Sequence, residues 1–246
     1  MKTSATPSGF AALALPSSGV LTELTVSAAT LRVERQRAVE FQREVYRREG
    51  LLRDDTLEPE VLPQASAEGS TIFVVRERDA IVGTVTFYMD SAMGLPMDAV
   101  HGEEVNEMRD RFARVAEVGG LAVMKDRRGV GITMMLCQAM FRWAVARDTE
   151  CLVACVNPSS RRVYSRMLLF EVLGECKRHP RFLGAPSIPI GLDLTTAPER
   201  YRDAHGAEAE NHLHKFFCET PAQYGFADLG SSPYLQSSDG LTRGAA

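Results

Sequence analysis

The sequence predicts a mixed α/β layer, one sheet with helices on its faces, and three observations carry that prediction. Apolar runs of strand length recur along the chain, among them "TIFVV", "IVGTVTFYM" and "CLVACV". Between them lie stretches with helical spacing, the clearest holding Ile132, Met135, Leu136, Ala139, Met140 and Trp143 at i, i+3, i+4, i+7, i+8 and i+11. Strand-like and helix-like segments alternate rather than segregate, as a layered sheet requires.

In chain order, residues 1–19 are rich in Ser, Pro, Ala and Gly and read as a flexible leader. Their apolar patch is brief and Lys2 is the one early positive charge, so a cleaved signal fits less well. Residues 20–27 are expected to form a first strand. A helix follows from Thr30 to about Glu49, with Leu31, Ala38, Phe41, Val45 and Arg48 in near-helical rhythm and Gly50 as its C-cap. After a Pro- and acid-rich link (51–70), "TIFVVRERDAIVGTVTFYMD" reads as a hairpin turning at Arg78 and Asp79. Residues 90–113 connect onward through a short charged helix, "GEEVNEMRDRF". A strand (114–123), a basic glycine turn and a helix (129–147) come next, then the strand "CLVACV". "NPSSRRVYSRML" opens another helix, with Asn157 as N-cap and Pro158 at the first position. "FEVLGECKR" and "IPIGLDL" add strands, residues 197–217 a last helix, and 218–246 a polar tail. Residues 20–217 are expected to form a single domain; no internal repeat breaks them.

At 246 residues, 45% hydrophobic and 24% charged, the chain has an ordinary globular composition. No apolar run approaches the roughly 18–20 residues that cross a bilayer. The five cysteines show no CxxC spacing. Cys151 and Cys155, four apart in an apolar run, fall on one strand face and suit reduced core thiols in a cytoplasmic protein. His212 and His214 lack a third ligand nearby, so no metal site is expected. The net charge of −4 conceals an asymmetry: residues 109–181 hold fourteen Lys and Arg against seven Asp and Glu, a balance of +7, which leaves −11 elsewhere. That basic middle would attract an anionic ligand or an acidic protein. No basic run interleaved with aromatics points to nucleic acid.

The glycine turn lies in this basic middle. Gly129 and Gly131 leave first-turn amides unshielded, the helix dipole adds partial positive charge there, and Arg127 and Arg128 add full charges. Such a turn can hold a phosphate; it can equally be a plain strand-to-helix turn. Arg128-Gly129-Val130-Gly131-Ile132-Thr133 resembles the Arg/Gln-x-x-Gly-x-Gly/Ala loop of GNAT-type N-acyltransferases, departing at Thr133. Asn157 and Tyr164 keep the spacing of that family's later Asn and Tyr, with Leu169-Phe170 near its Gly-Phe. The resemblance covers residues 70–194. It implies a mostly antiparallel central sheet with helices on both faces, and a thioester donor held by the glycine turn. Acyl-CoA is the family's usual donor; the Thr133 departure suits a simpler phosphate, that of the phosphopantetheine on an acyl carrier protein.

"AEVGGLAV" is also similar to the Glu-x-x-Arg-x-x-Val strand of acyl-homoserine-lactone synthases, with Glu117 and Val123 in place and Gly120 where arginine would stand. Together with "VYRREG" and a Pro-Arg loop before "IPIGLDL", this resembles long-chain N-acyl amino acid synthases more. The resemblance implies transfer of a medium or long acyl chain from a carrier-bound thioester to the amine of an amino acid. It needs no permanently bound cofactor. Arg127, Arg128, Arg161, Arg162 and Arg166 suit a carrier protein's acidic face. Acylation needs a base for the amine, a donor for the oxyanion and an acid for the leaving thiolate. Glu117 is the candidate base, or a surface carboxylate paired with Arg114 or Arg109. Tyr164 is the candidate acid, or a tyrosine packed in the core. Backbone amides from Leu121 to Val123 are candidates for the oxyanion. Val130, Ile132, Thr133 and Asn157 complete the expected donor-binding set. Met134, Met135, Met140 and Phe141 line an acyl groove or fill the core. Two other functions remain open from sequence: an acetyl-CoA-dependent N-acetyltransferase, and a module of the same fold that binds an acyl thioester or a partner protein without turnover.

Overall fold

The computed structural model describes residues 24–53, 61–128 and 131–205. The leader, Gly129, Val130, His212, His214 and the tail lie outside them. The described residues build β1 (Leu24–Ala28), α1 (Arg32–Arg48), β2 (Thr71–Glu77), β3 (Ala80–Met89), α2 (Asp98–Arg111), β4 (Val115–Val123), α3 (Ile132–Val145), β5 (Cys151–Val156), α4 (Arg161–Met167), β6 (Glu171–Val172), β7 (Lys177–His179), β8 (Ala185–Asp193) and α5 (Ala197–His205). Strand order is β1-β2-β3-β4-β5-β8-β6, with β7 also on β8. Every pairing is antiparallel except β4 with β5. The expected mixed, mostly antiparallel sheet is thus what forms.

The two faces of the sheet bury different helices. Phe73 and Val75 of β2, Ala116 of β4 and Leu152 and Ala154 of β5 pack against α3 and the α5 residues Ala197 and Tyr201. The alternate residues face the other way: Ile72 and Val74 meet Ala38 of α1, and Val115, Cys151 and Val153 meet Val105 and Met108 of α2. Cys151 and Cys155 do share one face, and both are free thiols. Helix α3 is buried beyond its expected stripe, since Met134, Cys137, Gln138, Phe141 and Ala144 are covered as well. Met134 and Met135 therefore serve as core, whereas Met140 and Phe141 also border a pocket described below.

Two departures from regularity shape the centre. Thr86 of β3 stands opposite Gly119 and Thr84 opposite Ala122, so β4 carries an extra residue here. Gly120 sits in that bulge at φ +64°, a conformation side chains resist. The inserted residue changes the parity of the strand: Ala116 and Val118 face α3 before the bulge, Leu121 and Val123 after it. The parallel ladder between β4 and β5 then ends early. It pairs Val115 with Cys151, Ala116 with Leu152 and Glu117 with Val153, and goes no further. Beyond Glu117 the strands part.

Several boundaries move relative to the sequence expectation. Leu31, placed on the apolar face of α1, is the N-cap and 62% exposed. Helix α2 starts earlier, at Asp98, and bends at the buried His101 (φ −128°, ψ 41°). "FEVLGECKR" forms two short strands, β6 and β7, rather than one. Among the described residues no helix is long and apolar enough to cross a membrane.

Candidate active site

Glu117 lies where β4 and β5 part, and its side chain points to the α2 face among Tyr88, Met97, Val115 and Val153. It is 5% exposed, and its Oε2 accepts the Met97 N–H at 2.6 Å. Burial in this apolar setting pushes its carboxyl up to about 8; the nearby Asp98 charge adds to the rise, while the Met97 amide and the Arg181 charge oppose it. The surface ion pair left open by the sequence does not form. Arg109 instead grips Asp90 (Nε to Oδ2, 2.7 Å) and Asp98 (Nη1 to Oδ1, 2.7 Å), and Arg114 donates to the Arg147 carbonyl. The Asp98 Oδ2 in turn accepts the Leu95 N–H at 2.7 Å. Arg109 thus fixes the loop whose Met97 amide holds Glu117. No short-range spacing in the sequence signals this network, because its members meet only across the fold.

Tyr164 comes from α4 on the opposite face of the sheet. Its ring packs edge-on against Phe170 (centroids 5.8 Å apart) and borders a pocket with Val118, Leu121, Cys137, Met140 and Phe141. Burial holds its hydroxyl well above the ordinary tyrosine range, and the hydroxyl has no hydrogen-bond partner among the described residues. It is therefore a half-buried tyrosine packed against the core whose donor is unengaged among the described residues. The pocket is narrow, with about 30 Å³ of free volume.

Between these faces lies the bulge. Gly120 and Leu121 have no partner residue in β3 or in β5. The Leu121 carbonyl accepts the Tyr46 hydroxyl of α1 at 3.2 Å, and the Val123 carbonyl accepts Arg128 Nε at 3.3 Å. A Cβ at Gly120 would meet the Gln42 amide at 3.1 Å, so α1 closes directly over the bulge. Tyr46 belongs to the "VYRREG" segment, where the sequence marked the segment but not the contact.

The basic turn has a different electrostatic character from the one expected. Arg127 pairs with Glu77 at 2.8 Å and Arg128 with Glu49 at 2.9 Å, so neither guanidinium is free to meet a ligand without exchanging partners. Such exposed pairs are weak and exchange readily. Gly131 caps α3 at φ +83°, and the first helical bond runs from the Met135 amide to the Gly131 carbonyl. The amides of Ile132, Thr133 and Met134 precede that ladder. Ile132 is buried, Thr133 half-buried, and Gly129 and Val130 are outside the described residues. Asn157 caps a 3-10 turn (Pro158–Ser160) by accepting the Ser159 amide at 3.0 Å, a structural task. Arg161, Arg162 and Arg166 line an open groove on α4 with Pro158, Ser159 and Ser165. Among the described residues no His, Cys, Asp and Glu cluster could hold a metal ion.

A buried carboxylate and a half-buried tyrosine thus lie on either side of a sheet that opens between two parallel strands, and the fold is that of the GNAT N-acyltransferases. Residues 37–193 match the family model of FeeM, the N-acyl amino acid synthase, and the chain belongs to that family. Among solved structures, FeeM from uncultured soil microbes is similar at 21% identity and a TM-score of 0.65, over 75% of this chain and 98% of that one. The CoA-dependent acyl-homoserine lactone synthase BjaI, with SAM and isopentyl-CoA, aligns at 16% identity and TM-score 0.51, over 74% and 88%. A Lactobacillus plantarum protein described as an N-acetyltransferase aligns at 16% and 0.51, over 70% and 99%. No curated protein matches the chain.

Proposed function

We propose that the protein moves a medium or long acyl chain from the phosphopantetheine thioester of an acyl carrier protein to the α-amine of an amino acid, in the cytoplasm. The observation that carries the chemistry is Glu117, a buried carboxyl lifted to about 8 at the point where the sheet opens. Near that pH half of it is ionised, which matches a base that must deprotonate an ammonium and then be reset.

In this mechanism the Glu117 carboxylate takes a proton from the ammonium, directly or through one water. The freed nitrogen lone pair attacks the thioester carbonyl carbon, and the carbonyl oxygen becomes an oxyanion. The bulged amides of Gly120 and Leu121, residues without a register partner in the neighbouring strands, supply its hydrogen bonds, and the Leu121–Val123 segment lies alongside the pantetheine. The attack leaves the nitrogen protonated; this second proton passes to solvent as the tetrahedral intermediate collapses and the carbon–sulfur bond breaks. Tyr164 gives its proton to the departing thiolate and recovers one from the solvent. The first-turn amides of α3, with Gly129, Val130, Gly131, Ile132 and Thr133, receive the donor phosphate, and Arg127 and Arg128 join them by releasing Glu77 and Glu49. Asn157 takes part by fixing the start of α4, which carries Tyr164. Arg161, Arg162 and Arg166, which have no ion-pair partner among the described residues, present positive charge to the carrier protein's acidic face.

The small pocket beside Tyr164 favours a second reading, an acetyl-CoA-dependent N-acetyltransferase, because about 30 Å³ admits a long chain only if Met140, Phe141 or Leu168 moves. Mass spectrometry of lipid extracts from bacteria overproducing the protein, beside a Glu117→Gln control, separates the two. New N-acyl amino acids in the first culture alone support the synthase and name both the amine and the chain. A folded protein that yields none, and that acetylates amines from acetyl-CoA in vitro, supports the second reading.

A further inference from the structure

The kink of α2 at His101 sets Asp98–Val100 apart as a single turn ahead of the main helix. Met97 opens that turn. Its carbonyl accepts the His101 N–H at 2.9 Å and the Val100 N–H at 3.0 Å, while its own N–H donates to Glu117 Oε2 at 2.6 Å. The direction in which Met97 presents its N–H therefore depends on how His101 is held.

His101 is held from two sides, with its side chain fully buried. Its Nε2 lies 3.2 Å from Ser187 Oγ on β8, and its Nδ1 lies 3.5 Å from Glu104 Oε1 on the same helix. Glu104 in turn takes Lys177 Nζ of β7 at 2.8 Å. Lys177 and Ser187 stand opposite each other in the β7–β8 ladder. One cross-strand pair thus grips two residues of α2 spaced three apart. A carboxylate only accepts, so Nδ1 is assigned the ring proton and Nε2 accepts the Ser187 hydroxyl.

From this unbroken chain of contacts we infer that His101 is the positioning residue for the base: clamped by Ser187 and by the Glu104–Lys177 pair, it keeps the Met97 N–H on Glu117. The inference takes Glu117 as the base from the reading above and adds what aims it.

The electrostatics agree with the geometry. Burial lowers the His101 ring below its usual value and outweighs the pull of Glu104, so the ring is neutral at pH 7 and both nitrogens keep their assigned roles. Burial alone would raise Glu104, but the hydrogen bond from Lys177 and smaller contributions hold it below the usual carboxylate range. Arg109 ties the same short turn through Asp98, so the turn has one fastening beside the sheet and another at Arg109. A single helical turn cannot hold itself. The Met97 N–H favours the ionised form of Glu117, so releasing the clamp moves the Glu117 titration up. Tyr88 of β3, Asp98, Cys155 of β5 and Arg181 also face Glu117, and His179 adds its charge near His101. His101→Ala and Ser187→Ala leave all of these in place.

The test reads Glu117 in two ways. One is the acidic limb of kcat/KM with a lauroyl carrier-protein donor and mixed amino acids. The other is carbon-13 NMR of the labelled Glu117 carboxyl, which needs no turnover. His101→Ala should raise both midpoints by about one pH unit, a roughly tenfold loss of rate at pH 7. Ser187→Ala removes one side of the clamp without altering a charge and should raise them by less. His101→Gln, whose amide offers a donor and an acceptor, should recover part of the shift; it and Ser187→Ala decide the matter if His101→Ala does not fold. Midpoints that stay put or fall in the folded variants overturn the clamp and leave the acyl-transfer reading standing. A carboxyl titration that moves up while kcat/KM shows no limb there supports the clamp and overturns Glu117 as the base.

Discussion

Glu117 links stability and activity at a single residue. It ionises near 4.5 in an unfolded chain and near 8 in the folded one, so the folded state keeps a proton that the unfolded state has lost. Stability therefore falls as pH rises from about 4.5 to about 8 and is level above that. The groups facing this carboxyl are Tyr88 from β3, Asp98 from α2, Cys155 from β5 and Arg181 from the turn after β7; burial outweighs them all. Glu117→Gln should thus unfold at higher urea than the unaltered protein at pH 8, by roughly 2–4 kcal/mol, and show no gain at pH 4. The same change should cost about 10²–10⁴ in kcat, and the unaltered enzyme's kcat/KM should climb toward pH 8 with a limb the variant lacks. Glu117 was legible in the sequence as an acid in an apolar strand, but its environment was not. The Met97 amide comes from a loop 20 residues away and the Arg109 ion pairs that frame it from α2, and only folding brings them to the site.

Local periodicity made the elements more legible than the site. The turn at Arg78 and Asp79, the stripe on α3 and the shared face of Cys151 and Cys155 all follow from spacing of two or 3.6 residues, and all appear in the fold. The bulge of β4 has no such signature, since "GG" in an apolar run announces freedom without saying how the chain uses it. That freedom is used at Gly120, where Gly120→Ala would combine a positive φ with contacts of 3.1–3.2 Å to Gln42 and Thr86. The variant should lose about 1–2 kcal/mol of stability by urea denaturation. Its residual activity at full folding should fall further than that loss explains, because the amides of the bulge turn with it. At α4 the expected basic face survives only in part. Arg127 and Arg128 are occupied by Glu77 and Glu49, which leaves Arg161, Arg162 and Arg166 as the exposed charge. Reversing these three to Glu should raise KM for an acyl carrier-protein donor roughly tenfold at low salt, less at 0.5 M salt, and leave KM for the matching acyl-CoA nearly unchanged. Steady-state assays with both donors decide it.

At the scale of the whole molecule, the charge asymmetry read from composition becomes spatial only in the fold, where Glu49, the C-cap of α1, and Glu77 of β2 cancel the turn arginines. The early end of the β4–β5 ladder has a wider consequence. The sheet is a partition with one slot, Glu117 opening onto one room and Tyr164 onto the other. Visitors that use separate doors need not queue. In the proposed reaction the amine and the thioester are present together and react through the slot, with no acyl group parked on the protein in between. The thiol nearest Tyr164, Cys137, is pushed up to about 12 by burial and makes a poor parking place. Initial-rate plots at several fixed concentrations of the second substrate should therefore intersect to the left of the axis; parallel lines would mean that the acyl group stops over on the enzyme after all.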